Sequence, residues 1–282
     1  MKKLLSINIT LTFLLILWGG LVRSSGAGLA CPDWPTCNGY WIPPMDPMVL
    51  LEWGHRLIAS VTGFCTLGVV GAVFLKKKYR SRLGGPAFLC LSLLVVQILL
   101  GALTVKGMLS AHLVTTHLAV ALVFLATLLW MRERISPEVD PNPPLKGRGL
   151  LPFVTLLVYL QILWGGWVAS SHAGLACPDF PTCFGAWVPP LSGLVAYQFF
   201  HRVGAVVVTA AVILLFRKMR ATKLKGLMIG NLMTVLIQFS LGIANVVWEL
   251  PIAVRIAHLA MATSLFAMMF IATHRVHHAR VS

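Results

Sequence analysis

Four histidines in matched positions are the side chains of this sequence best suited to chemistry. His55 and His117 lie in the first half, and His201 and His258 take the corresponding places in the second. Each falls within an apolar stretch long enough to cross a bilayer, where an ionisable side chain marks a functional site by default. One such histidine alone could be a bridging polar residue, but two matched pairs favour ligands. Because two opposed imidazoles can coordinate one haem iron axially, the sequence predicts one haem in each half.

The two histidines of each pair are predicted to lie at similar depth. His55 lies near the start of the second apolar stretch, and His117 lies about one and a half turns into the fourth. Both stretches run from the outer side inward, and helices two and four can face each other diagonally across a four-helix bundle. The same holds for the second pair, so both haems are expected near the outer surface.

A carboxylate accompanies only the first pair. Glu52 lies one helical turn before His55 and shares its helix face, whereas the corresponding residue of the second half is Gln198. This difference predicts catalysis in the first half and a cofactor role for the second. An interfacial residue just outside the span is the alternative interpretation of Glu52. Arg56 and Arg202 directly follow the histidines and could pair with haem propionates or anchor helix ends.

Each half also carries one pair of cysteines, in the segments CPDWPTC and CPDFPTC. A disulfide within each loop is the simplest pairing, on an outer side where disulfides persist. A zinc site of four thiolates is the alternative, and it requires the two loops to meet. A redox-active pair is also open, because a short exposed disulfide can be labile. The predicted pairs are Cys31–Cys37 and Cys177–Cys183.

Other matched polar residues have structural interpretations. Asp33 and Asp179, inside the cysteine loops, are predicted to form turns. Gln97 and Gln238 each precede a matched glycine by four residues and are predicted to make polar contacts between helices. His112 has an alanine as its counterpart, so it is not predicted to be a ligand.

These residues lie in a sequence that contains an internal repeat. The segments 18–44 and 164–190 agree at 20 of 27 positions with a constant offset of 146. A fixed-period repeat indicates one structural unit used twice. A linker with four prolines, residues 136–149, separates the units and predicts two domains, 1–140 and 141–282.

The composition places both domains in a membrane, because 58% of the residues are hydrophobic and only 11% are charged. Five clusters hold 18 of the 23 lysines and arginines, and all fall on one side if the chain crosses eight times. By the positive-inside rule that side is the cytoplasm, so the net charge of +15 is a topology signal rather than a nucleic-acid site. Eight apolar stretches are predicted to span the bilayer: 4–22, 53–75, 86–106, 112–131, 150–170, 196–216, 226–248 and 253–273.

The predicted fold is an all-α membrane protein with eight transmembrane helices, arranged as two four-helix bundles in parallel repeat. Four helices per unit is an even number, so both units insert in the same orientation and both termini are cytoplasmic. The first stretch also resembles a signal peptide. Because 150–170 occupies the same place in the second unit, the first helix is expected to be retained.

The motifs in combination are similar to those of a known family. GLACPDWPTC followed by EWGHR, GLACPDFPTC followed by HR, and histidines on helices two, four, six and eight resemble the haem A synthases, membrane enzymes of cytochrome oxidase assembly. The resemblance covers nearly the whole chain, and it also implies a disulfide in each outer loop.

The resemblance implies a reaction and a division of labour. The substrate would be haem O, held between His55 and His117, and two hydroxylations of its C8 methyl group would give the formyl group of haem A. Glu52 would be the catalytic residue. A permanent haem b between His201 and His258 would serve in electron transfer.

The resemblance also implies a setting in the bacterial inner membrane, with the cysteine loops outside and the lipid bilayer around the helices. Haem O synthase and cytochrome oxidase assembly factors are candidate partners, and the electron donor and a homo-oligomeric state are left open. The alternative function is a di-haem b cytochrome that transfers electrons at the outer face, by quinol oxidation, without modifying haem. The difference between Glu52 and Gln198 favours the enzyme.

Overall fold

The computed structural model describes residues 1–44, 46–135 and 147–277. Within these residues, eight helices are long and apolar enough to span a membrane, which confirms the predicted all-α membrane fold. The helices are α1 Lys2–Ser24, α2 Pro47–Leu75, α3 Lys77–Lys106, α4 Ala111–Ile135, α5 Leu150–Ser170, α6 Gly193–Met219, α7 Lys225–Val247 and α8 Ile252–His277. The predicted linker falls largely outside the described residues.

The chain separates into two compact units, Met1–Ser136 and Pro137–Ser282. In the first unit, α1 and α3 each pack against both α2 and α4, so the four helices form a ring in which α2 and α4 are diagonal. In the second unit, α5 and α7 each pack against both α6 and α8. Each unit is therefore a four-helix bundle whose histidine-bearing helices lie across the diagonal. The orientation of the units in the membrane stays a prediction.

The start of α2 is set by capping rather than by hydrophobicity. The Asp46 carboxylate accepts hydrogen bonds from the backbone N–H groups of Met48 and Val49, at 2.9 and 3.0 Å. Pro47 occupies the first helical position, where its fixed φ suits the helix and its missing N–H costs nothing. The helix therefore begins before the apolar stretch predicted at 53, and Glu52 lies inside it.

The second boundary that differs from the prediction is the start of α3, which begins at Lys77 and continues through Pro86. Proline cannot donate to the carbonyl four residues earlier, which here belongs to Arg82. Arg134 of α4 donates a long hydrogen bond of 3.5 Å to that carbonyl oxygen. The contact supplies a donor for the group that Pro86 leaves without one, so the helix can extend beyond its apolar segment.

Tight packing concentrates at one end of each bundle. The core of the first unit includes Leu5, Val73, Leu83, Leu128 and Met131, at the start of α1 and α3 and the end of α2 and α4. The largest fully buried side chains of the second unit lie at the matching end, and they are Leu151, Leu215, Met219, Met228 and Met269. The histidines occupy the opposite end, where their side chains are only half-buried.

Basic residues of the first unit also gather at the packed end. Lys2 and Lys3 open α1, and a run of lysines and arginines opens α3. Arg132, near the end of α4, donates a hydrogen bond of 3.1 Å to the Ser6 hydroxyl. The cysteine loop and these clusters of basic residues are thus separated by the length of the bundle, as the positive-inside prediction requires.

Candidate functional site

The first unit brings His55 and His117 together. His55 is the ninth residue of α2 and His117 the seventh residue of α4. Because successive helices of the bundle alternate in direction, α2 and α4 run the same way and the two residues lie at nearly equal depth. The rings are close enough to act on each other electrostatically. The unit therefore presents two imidazoles from diagonal helices at its less tightly packed end.

The second unit repeats this arrangement with different residues. His201 is the ninth residue of α6 and His258 the seventh residue of α8. Their rings are again within electrostatic reach of each other. The same register in both units means that each bundle can offer one pair of axial ligands.

A glycine on the preceding helix lies against each of the four imidazoles. These glycines have no Cβ atom, so the histidine ring can approach the backbone of the neighbouring helix. For His55, His117, His201 and His258 the glycines are Gly19, Gly101, Gly165 and Gly242, and an added Cβ atom would lie 3.1, 3.7, 2.9 and 3.3 Å from the ring Cε1 atom. The glycines therefore shape a cradle that fixes where each imidazole lies.

Glutamines hold three of the four rings. Gln161 of α5 places its Nε2 atom 3.0 Å from the Nδ1 atom of His201 and also donates to the His201 backbone oxygen at 2.8 Å. Gln238 places its Nε2 atom 3.0 Å from the Nε2 atom of His258. The predicted role of Gln238 as a contact between helices is confirmed.

The third glutamine is Gln97. With its amide nitrogen toward the imidazole, it donates to the backbone oxygen and the Nδ1 atom of His117, both at 3.2 Å. His55 has no such partner: its Nδ1 atom is buried without a hydrogen bond, and the residue in the glutamine position is Leu15. Sequence reasoning missed Gln161, although it shares with the other two the spacing of four residues before a glycine.

Glu52 is buried, with 5% of its surface exposed, and it is paired with Arg56. The Arg56 Nε atom lies 3.1 Å from Glu52 Oε1, one helical turn away. The two terminal nitrogens of Arg56 donate to the backbone oxygens of Cys31, Asp33 and Thr36, each at 2.7 Å. One arginine therefore connects the carboxylate of the site to the backbone of the cysteine loop.

Arg202 makes only part of this set of contacts. It donates to the backbone oxygens of Cys177 and Thr182, both at 2.7 Å. Its Nε atom and the Oε1 atom of Gln198 are buried without hydrogen-bond partners. Both arginines thus hold loop carbonyls in this structure, and their pairing with propionates stays a prediction.

The cysteine loops are closed by the predicted disulfides. Cys31 is bonded to Cys37, and Cys177 to Cys183. All four sulfur atoms are used, which leaves no thiolate for the alternative zinc site. In the described part of the chain, no three histidine, cysteine or carboxylate side chains are grouped to hold a metal ion.

Asp33 and Asp179 form the turns predicted for them. Asp33 accepts hydrogen bonds from the Thr36 hydroxyl and from the backbone N–H groups of Asn38 and Gly39. Asp179 accepts the corresponding bonds in the second loop. The threonine hydroxyl, followed by the backbone donors, lowers the pKa of each carboxyl from 3.8 to about 2.

The histidine pairs fit a planar group with a metal at its centre. In each unit two half-buried imidazoles from diagonal helices lie within electrostatic reach. In His117 and His201 the glutamine contact is made at Nδ1, so it leaves Nε2, a common iron ligand, for a metal. The residues present therefore fit one haem in each unit.

The fold and these pairs define a multi-pass membrane protein with a histidine pair in each of two four-helix units. Comparison with known proteins identifies the family. The model of the cytochrome oxidase assembly protein family matches residues 2–270, so the chain belongs to that family, which confirms the resemblance seen in the motifs.

Individual relatives agree with the family match. The chain is 31% identical over 300 aligned residues to a haem A synthase of Shewanella oneidensis, covering 90% of each protein. It is 28% identical over 269 residues to a haem A synthase of Halalkalibacterium halodurans, covering 91% of this chain and 90% of that one. A haem A synthase of Symbiobacterium thermophilum is 32% identical over 225 residues, covering 74% of this chain and 71% of its own.

Proposed function

We propose that this protein is a haem A synthase, which oxidises the C8 methyl group of haem O to a formyl group. One observation carries the assignment of the chemistry to a site: a buried carboxylate, Glu52, lies one helical turn from His55, whereas the second histidine pair has Gln198 at the corresponding position. Membership of the cytochrome oxidase assembly family and the names of the relatives supply the reaction. The geometry supplies the division of roles between the units.

The first unit is the substrate half. His55 and His117 hold the iron of haem O, and the methyl group is oxidised beside Glu52. Each of two successive hydroxylations replaces a C–H bond by a C–OH bond: water supplies the OH group, two protons are released, and an external acceptor takes the two electrons. The second gives a geminal diol, which loses water to leave the formyl group. Burial and the partner Arg56 fix the Glu52 carboxylate in place, so it can accept the released proton or stabilise positive charge at the carbon.

The second unit is the cofactor half. His201 and His258 would hold a resident haem b, which supplies one-electron transfer when bound. Gln198 in place of Glu52 gives this unit no carboxylate at the corresponding position. Gln161 and Gln238 hold the imidazoles in a fixed orientation. The contacts of this half favour retention of a group over chemistry on it.

The cysteine loops lie on the outer side of the bacterial inner membrane in this proposal, with both termini in the cytoplasm. Their disulfides support that side, since disulfides persist in oxidising compartments. The basic residues at the opposite end of the first bundle support it independently. A farnesylated substrate reaches the first unit most directly through the bilayer, and haem O synthase supplies it. The product passes to cytochrome oxidase assembly factors.

The test is to purify the full chain, extract its haems with acid, and identify them by chromatography and mass spectrometry. We expect haem b together with haem O or haem A. In His55→Met and His117→Met variants the farnesylated species should be lost and haem b retained. Haem b alone, at two per chain even when haem O is supplied, would refute the synthase and support the di-haem cytochrome.

A further inference from the structure

The pattern of glutamines divides the four histidines unequally between the units. In the second unit both imidazoles contact a glutamine amide, from Gln161 and Gln238. In the first unit only His117 does, because the residue in the glutamine position beside His55 is Leu15. We propose that Gln161 is a positioning residue for retention: it makes the second unit keep its haem, and its absence beside His55 lets the first unit exchange one. This inference rests on the proposed function.

Gln161 holds His201 at two points. Its Nε2 atom lies 3.0 Å from the ring Nδ1 atom, and it donates to the backbone oxygen of the same residue at 2.8 Å. An amide carries both a donor and an acceptor, so it can serve either tautomer of the ring. When iron binds Nε2 the ring proton lies on Nδ1, and the amide turned with Oε1 toward the ring accepts from that N–H. An acceptor on the far N–H of a ligating histidine orients the ring and raises its basicity, and loss of such a partner typically lowers metal affinity about 10- to 100-fold.

The contact depends on a second residue that also differs between the units. A Cβ atom added at Gly204 would lie 2.2 Å from Gln161 Oε1, so the glutamine in its observed conformation occupies space that only a glycine leaves open. In the first unit the two corresponding residues are Leu15 and Ile58. The amide and the space it needs are therefore both present in one unit and both replaced by apolar side chains in the other. Because both residues involved differ between the units, the Gln161 contact is specific to the second unit.

The difference matches what each site must do. A substrate haem has to enter and a product haem has to leave, whereas an electron-transfer haem has to stay. A ring without a polar partner is free to turn away from the iron at lower cost. His55 also lies on the helix that carries Glu52, so opening at His55 would free the region beside the carboxylate.

The experiment compares the rates at which the two units lose haem. The purified full chain is loaded with haem b at both sites and mixed with excess haem-free myoglobin, and transfer is followed by absorbance. We expect a fast and a slow phase. In Gln161→Met, which keeps the length of the side chain and removes the amide, the slow phase should be about tenfold faster.

A reciprocal variant tests the first unit. Leu15→Gln together with Ile58→Gly installs the missing pair beside His55, and the fast phase should become about tenfold slower. Leu15→Met is the matched control and should leave both phases unchanged. Circular dichroism and the haem content before mixing establish that each variant is folded and loaded. If the reciprocal variant does not fold, Gln161→Met decides alone.

Two results would overturn the proposal: a single phase of haem loss in the unaltered chain, or a slow phase that Gln161→Met leaves unchanged. These outcomes are independent of the proposed function, which is judged by the haems extracted from the protein. A chain that makes no haem A can still show the two rates, and a synthase can still lose both haems at one rate.

Discussion

The two units have one scaffold and differ at the residues around the histidines. Each unit has four helices in a ring, a disulfide loop, an arginine on the loop carbonyls, and a glycine against each imidazole. The differences around the histidines, first unit against second, include Glu52 against Gln198, Leu15 against Gln161 and Ile58 against Gly204. The scaffold of each unit holds a histidine pair, and a few neighbouring side chains determine whether that pair suits catalysis or retention of a cofactor.

The likeness extends to contacts far from any ligand. The Trp18 indole donates to the backbone oxygen of Leu51 at 2.9 Å, and the Trp164 indole donates to that of Tyr197 at 3.0 Å. These bonds tie the first two helices of each unit together beside the histidine. Because such contacts are shared, substitutions that exchange the differing residues change the site against a constant background.

The largest expected effect comes from Glu52→Gln, which gives the first unit the side chain of the second. In the proposed mechanism Glu52 is the carboxylate beside the substrate, so formation of haem A should fall at least about 100-fold in this variant. Haem content should stay normal because the histidines are unchanged. Acid extraction and chromatography measure both.

The control for this variant is the double substitution Glu52→Gln with Gln198→Glu. It restores the number of carboxylates and places the new one in the wrong unit, so it should remain inactive. Full turnover of Glu52→Gln with normal haem content would remove Glu52 from the mechanism.

The next effect compares the two arginines. Arg56→Ala leaves the buried Glu52 carboxylate without its cation, and we expect the free energy of unfolding to fall by about 3 kcal/mol. Arg202→Ala removes hydrogen bonds to two loop carbonyls and no ion pair, so it should cost less, about 1 to 2 kcal/mol. Thermal unfolding followed by circular dichroism measures the difference.

A second substitution separates the contribution of the ion pair to stability from that of the loop hydrogen bonds. In the Arg56→Ala background, Glu52→Gln should recover part of the lost stability, because it removes the unpaired charge. Two results would show that the Arg56–Glu52 ion pair does not distinguish the units. One is an equal loss of unfolding free energy in the two arginine variants, and the other is no recovery of stability in the double variant.

A smaller effect tests the glycine cradles. An added Cβ atom would lie 2.9 Å from the ring at Gly165 and 3.7 Å at Gly101. Gly165→Ala should therefore displace His201 or destabilise the unit by about 1 to 3 kcal/mol, and the haem b proposed for this unit should be lost. Gly101→Ala should be tolerated and is the matched control, since both changes alter helix propensity equally. The ratio of haem to protein and the reduced-minus-oxidised spectrum are the readouts, and equal haem contents would contradict the prediction.

The smallest effect should be the same in both units and concerns the loops. The pKa of Asp33 and of Asp179 is about 2 rather than 3.8, mainly because of the threonine hydroxyl bond. The folded form binds the proton more weakly than the unfolded form, so the carboxylates stabilise the loops above pH 3.8. That stabilisation is lost as the pH falls toward 2. Carbon-13 NMR titration of aspartate carboxyls, assigned with Asp33→Asn and Asp179→Asn, should give two low midpoints, and a midpoint near 3.8 would show that the turn bonds are absent.

The features that could be read from the sequence are those with a local or periodic signal. Eight apolar stretches, the two disulfides and the aspartate turns needed only short windows of sequence. The start of α3 was missed because the apolar stretch begins at Pro86, while the donor that supports the helix around it comes from Arg134 of another helix.

Gln161 was missed for a related reason. Its function depends on His201, 40 residues away, and on the missing side chain of Gly204. A contact made possible by an absent side chain leaves no periodic pattern along one helix. The corresponding residue of the first unit is Leu15. Comparison of the two repeats, which identified the other site residues, therefore did not identify Gln161.

The arginine contacts have a consequence for how the cysteine loops of the protein can evolve. Arg56 and Arg202 bind backbone oxygens, which every residue type carries, so the anchor does not depend on the identity of the loop side chains. The loops already differ: Tyr40 and Ala186 occupy the same bridge position opposite a cysteine. Substitutions of the loop side chains can therefore change this surface and the partners it binds. The helices that carry the histidines keep their register, because the arginine contacts are unaffected.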